Sequence, residues 1–60
     1  MTDDERKIVE AMYQHGGSFV YALAEAMRRA DQINFAILRD AFPAYWRHYE
    51  RLATKEAGKQ

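Results

Sequence analysis

The side chains that could serve as nucleophile, base or metal ligand in this sequence are few: His15, His48, Ser18, Thr2, Thr54 and a scatter of carboxylates. Enzymatic catalysis needs a nucleophile and a base within mutual reach, with a third group to orient them. None of these residues stands at a spacing that marks such a set. With no cysteine and only two histidines, thiolate zinc sites are excluded and a histidine cage is out of reach. The expectation is therefore a non-enzymatic chain with no catalytic residues, no metal, no cofactor and no small-molecule substrate. His15 stands just before a glycine pair at a helix end, where an imidazolium suits the negative end of the helix dipole, and His48 lies beside a basic row. Both read as structural or solvated.

The run His15-Gly16-Gly17-Ser18 invites comparison with an anion-holding loop, because free N–H groups at a helix start can bind a phosphate or an oxyanion. Phosphate loops and oxyanion holes of that kind follow a strand in an α/β fold. No strand precedes this one, so a plain turn between helices is expected.

Two further patterns concern surfaces. Phe42, Tyr45, Trp46 and Tyr49 fall at i, i+3, i+4 and i+7, which makes a contiguous aromatic ridge. Such a ridge is core material. It is also what a binding hot spot is made of when a short chain cannot cover four large rings. Arg47, Arg51 and Lys55 recur at i, i+4 and i+8, a like-charge row that reads as a solvated face, an acidic-protein contact or a set of phosphate contacts.

These residues must be positioned by helices, because apolar residues recur with helical period and no stretch alternates with period two. Thr2-Asp3-Asp4-Glu5 has the form of a capping box with acids in the first turn. Ile8, Val9, Met12 and Tyr13 then share one arc until Gly16, which is expected to take a left-handed C-cap. Ser18 is expected as the next N-cap, ahead of Phe19, Val20, Leu23, Ala24, Met27 and Ala30 on one face and Glu25, Arg28 and Arg29 on the other. Asp31 offers a stop and a new cap, and Pro43 ends the third segment and suits the first turn of a fourth. The fold expected is an all-α, compact three- to four-helix bundle, with helices over about residues 3–15, 18–30, 32–42 and 43–57 and a frayed tail over 57–60. A turn at Asp31 is also compatible with a helix-turn-helix. The second helix of that motif presents polar base readers, however, whereas Ile33, Phe35, Ile37 and Leu38 make this one apolar over most of its surface.

At 60 residues one domain is the limit, and a chain this short buries only about 60% of the surface its unfolded form exposes. Nine basic residues balance nine acidic ones, so no long-range field draws the whole molecule to nucleic acid or to an anionic membrane. The acidic N-terminus lacks a signal peptide's basic and apolar regions, and no apolar run reaches membrane-spanning length, which makes the cytoplasm the expected address. In the third helix Ile33, Phe35, Ile37, Leu38, Ala41 and Phe42 spread over roughly 200° of the wheel, against a usual stripe near 100°. One neighbouring helix cannot cover that arc. A symmetric homodimer is expected, built on this helix and the start of the next, with Ile33 and Ile37 in the contact and Tyr45 and Trp46 as further interface candidates.

Gly16-Gly17-Ser18-Phe19-Val20, Leu23-Ala24-Glu25-Ala26, Ala30-Asp31, Asn34, Ala41-Phe42-Pro43, Tyr45-Trp46 and Tyr49 together resemble small uncharacterised helical proteins encoded by phages and prophages. The resemblance covers about residues 12–52 and consists of caps and apolar positions. It implies an accessory protein acting in a bacterial cytoplasm, with no mechanism attached. The function expected is a protein-interaction module that contacts a host or viral protein through its third and fourth helices. The alternative is a nucleic-acid-binding accessory that uses Arg47, Arg51 and Lys55.

Overall fold

The capping box forms as its spacing requires. In the computed structural model, which describes residues 1–57 and side chains through residue 55, the Glu5 N–H donates to the Thr2 hydroxyl oxygen at 3.1 Å. The Glu5 carboxylate accepts from the Thr2 N–H at 2.8 Å. Helix α1 runs Asp3–His15 from this cap, with Asp3, Asp4 and Glu5 in its first turn.

The break that follows departs from expectation in its mechanism. Gly16 has extended backbone (φ −79°, ψ 153°) rather than a left-handed cap, and its N–H donates to the Met12 carbonyl at 2.9 Å. Its lack of a side chain serves a close approach instead: a Cβ there would overlap the Val20 side chain and the Met12 carbonyl oxygen. Ser18 is likewise not the cap. It is the first residue of α2, Ser18–Arg29, while Gly17 occupies the N-cap position with no side-chain hydrogen bond.

Asp31 caps α3, Gln32–Ala41, as expected, accepting from the Asn34 N–H at 2.7 Å. Phe42 leaves helical geometry (φ −127°, ψ 61°) because the following proline crowds it. Helix α4, Pro43–Ala57, then starts on the proline. The second and third helices are thus one residue shorter than expected at their C-terminal ends. Of the tail expected to fray, Ala57 is the last residue of α4 and residues 58–60 lie outside the described residues. No strand occurs among the described residues.

Helix α1 is the central element. Ile8, Val9, Ala11 and Met12 give it a broad buried face, which packs on α2 along one flank and on α4 along the other. Val20, Leu23, Ala24 and Met27 of α2 meet it, together with Tyr49 of α4, and Trp46, Leu52 and Ala53 pack around this cluster. Phe19 does not join them. It is 55% exposed, because the buried stripe of α2 centres on Val20, Leu23 and Met27 and leaves Phe19 at its margin. Helix α3 lies against α2 and α4 and contributes a single fully buried side chain, Phe35. The Cα radius of gyration, 10.7 Å, is that of a folded chain of this length, about 10 Å.

Candidate interaction surface

Helix α3 is held from its inner side. Phe35, 2% exposed, meets the Trp46 ring edge-to-face with centroids 5.7 Å apart. Leu38 and Phe42 pack partly buried beside it. Arg39 reaches across to α1, where its guanidinium donates to the Glu5 carboxylate at 3.2 Å, and it also donates to Asp40 at 3.2 Å while lying over the Phe35 ring. The Glu5 carboxyl is held below its ordinary value chiefly by the Thr2 backbone N–H, with the Thr2 hydroxyl and Arg39 adding to the effect against partial desolvation.

The outer side of α3 is the opposite in character. Ile33 is 74% exposed and Ile37 58%, one turn apart and on the far side of the helix from Phe35. Asn34 and Ala41 beside them are exposed too. The broad apolar arc thus divides in two, with Phe35, Leu38 and Phe42 turned to the core and the two isoleucines turned to solvent.

The other two interface candidates lie elsewhere. Tyr45 is exposed and stands in an aromatic group at one end of the bundle, with Phe19 at 5.8 Å and Phe42 at 6.2 Å between centroids. The three rings pack on one another, Phe19 also meeting Phe42 at 5.9 Å. Trp46 is half-buried against Phe35 and borders an open groove of about 580 Å³ between α1, α3 and α4, which Asp4, Arg47 and Glu50 also line. The ridge seen in the sequence is therefore split: Tyr49 is core, Trp46 and Phe42 are at its edge, and Tyr45 faces water.

Arg47, Arg51 and Lys55 are all exposed on the side of α4 away from the core, and they form no ion pair among the described residues. His48 lies next to this row with its ring edge-to-face on Tyr49, and His15 is exposed at the end of α1. Among the described residues no three histidine, aspartate or glutamate side chains gather to hold a metal ion.

One polar network was not legible in the sequence. The Tyr13 hydroxyl donates to the Glu25 carboxylate, which also accepts from Arg29 at 2.9 Å, while Arg28 lies over the Tyr13 ring and Tyr21 meets it edge-on at 4.9 Å. The Tyr13 hydrogen bond, followed by that of Arg29, lowers the Glu25 carboxyl, and desolvation followed by the Glu25 bond raises the Tyr13 hydroxyl. Only the i, i+4 spacing of Glu25 and Arg29 signalled any of this; Tyr13 comes from another helix. The network pins α2 to α1.

Over its described residues the chain is all-α, with four helices, an apolar outer row on α3 and a basic outer row on α4. Set against known protein families, curated proteins and solved structures, the chain matches none of them.

Proposed function

We propose that this chain is a non-enzymatic protein-interaction module whose contact face is the outer side of α3. The observation that supports the reading is the pair Ile33 and Ile37, which a self-sufficient surface helix would carry as polar residues. Each isoleucine contributes roughly 1.5–3 kcal/mol when fully removed from water, so covering both is a sizeable driving force for association. Its setting, in keeping with the likeness to phage-encoded proteins, is the cytoplasm of a bacterial host, where it acts as an accessory that engages a host or viral protein.

The second reading is nucleic-acid binding through Arg47, Arg51 and Lys55, favoured by their exposure and lack of ion pairs among the described residues. The balanced net charge weighs against it. Affinity capture from bacterial lysate, with wild type, Ile33→Glu/Ile37→Glu and Arg47→Glu/Arg51→Glu as baits, separates the two. The expected outcome is a protein retained by wild type and by the arginine variant and lost with the isoleucine variant. Capture of nucleic acid that is abolished by the arginine changes and unaffected by the isoleucine changes would overturn the reading.

A further inference from the structure

We infer that the surface covering the α3 row is the same row of a second copy of this chain, with the two α3 helices antiparallel about a two-fold axis and Ile33 of one protomer against Ile37 of its partner. The inference rests on the reading of α3 as a contact face and goes further in naming the occupant and its register.

The first argument is charge. From Gln32 to Leu38 the helix carries no ionisable residue, and Asp40, one turn beyond Ile37 on the exposed side, is already paired with Arg39 at 3.2 Å, so a copy laid along the row buries no unpaired charge, and the zero net charge of the chain sets no repulsion between protomers. The second is symmetry. A two-fold contact places each edge of the row beside the same edge of the copy. One edge carries Asn34, exposed, whose amide both donates and accepts and so satisfies its own counterpart. The other carries Ala36, half-buried and small enough to let the helices approach. A row of two isoleucines one turn apart is its own complement when turned end for end, because the midpoint between them becomes the axis.

Direction follows from the helix ends. A parallel pair would set Asp31 beside Asp31 and Asp40 beside Asp40, where the Asp40 side chain is 72% exposed. The antiparallel pair instead keeps the two exposed Asp40 side chains at opposite ends of the contact, and it opposes the two helix dipoles. With axes about 8–10 Å apart, side chains at the centre of such a seam touch.

The expected dimer is weak. The chain exposes 4335 Å² in all, and a standard interface takes about 800 Å² from each partner. A ten-residue helix, about 15 Å long, offers less than that. Dimers should dominate at hundreds of micromolar and dissociate at roughly 1 μM.

Sedimentation equilibrium across that range, on wild type and Ile37→Glu, tests the association. The mass should double with concentration for wild type and stay at the monomer for the variant, with the helical circular dichroism of the two superimposable. The register is read by disulfide trapping, which is clean because the native chain has no cysteine. An oxidised mixture of Ile33→Cys and Ile37→Cys should give several-fold more linked dimer than either variant alone. A wild type that stays monomeric at hundreds of micromolar overturns the inference, and so does a dimer that survives Ile37→Glu or one trapped chiefly as Ile33 to Ile33. If wild type is monomeric yet loses a captured foreign protein on Ile33→Glu/Ile37→Glu, the second copy is excluded while the contact face stands. If neither self-association nor capture depends on the isoleucines, both fall.

Discussion

Because Phe35 is the one side chain that α3 commits fully to the interior, its removal is not spread over neighbours. The ring is 2% exposed, lies edge-on to Trp46 and supports the Arg39 guanidinium on its face. Truncating a buried phenylalanine costs about 3–5 kcal/mol in lost transfer free energy and residual cavity. A chain of this size has a total stability on the order of 3–9 kcal/mol. Phe35→Ala should therefore lower the urea midpoint drastically and leave much of the chain unfolded at 25 °C, whereas Ile37→Ala, from an exposed site on the same helix, should hold its midpoint at concentrations where the chain is monomeric. Similar losses in the two variants would mean that the inner and outer faces of α3 are wrongly distinguished. Trp46 sits between these cases. Half-buried rather than enclosed, it should cost less on truncation than Phe35 despite its larger ring.

At the scale of elements, the ends of the helices were the legible part, because caps act through residues two or three positions apart. Thr2 with Glu5, Asp31 with Asn34 and the crowding of Phe42 by Pro43 are all local events. The need for glycine at Gly16 lies in a close approach rather than a left-handed cap: the space is taken by the Met12 carbonyl oxygen and by Val20, on the next helix. Phe19 shared its spacing with the buried residues of α2, and only the placement of the neighbouring helices decides which flank of a stripe is covered. The pairing of Arg39 with Glu5, 34 residues apart, left no trace in either residue's surroundings. That pair gives Glu5 two roles, as partner in the α1 cap and as anchor for α3, and the lowering of its carboxyl, chiefly by the Thr2 N–H and further by Arg39, makes a pH prediction. The carboxyl is depressed in the folded chain from an ordinary value of 4.5. Its contribution to stability is present above that value and is lost as pH falls through the lower, folded one. Glu5→Gln should thus be less stable than wild type at pH 7 and should lose less of its melting temperature between pH 7 and pH 3. Parallel melting-temperature curves for the two proteins would show that Glu5 has no such part.

For the molecule as a whole, stability should be unevenly distributed, and the architecture states in which order. Helix α1 is wedged between α2 and α4 and buries Ile8, Val9, Ala11 and Met12, so its middle turn cannot open without dismantling both contacts. Helix α3 is fastened by Phe35, by the edges of Leu38 and Phe42, and by the Arg39–Glu5 pair, and Ile33 and Ile37 on its outer face are left largely exposed. Local openings draw on the region with the fewest buried apolar contacts, and their free energies range from near zero up to the global value. Native-state hydrogen exchange at low micromolar concentration should accordingly find the Val9–Met12 amides exchanging only through global unfolding, with α3 amides faster by an order of magnitude or more. Raising the concentration to several hundred micromolar should slow α3 selectively, since a partner on Ile33 and Ile37 stabilises the docked helix by mass action and leaves the α1 ceiling to rise only with the whole. Uniform protection across the four helices would contradict this ordering. Protection of α3 that matches α1 in dilute solution would further show that the inner contacts alone suffice to hold it.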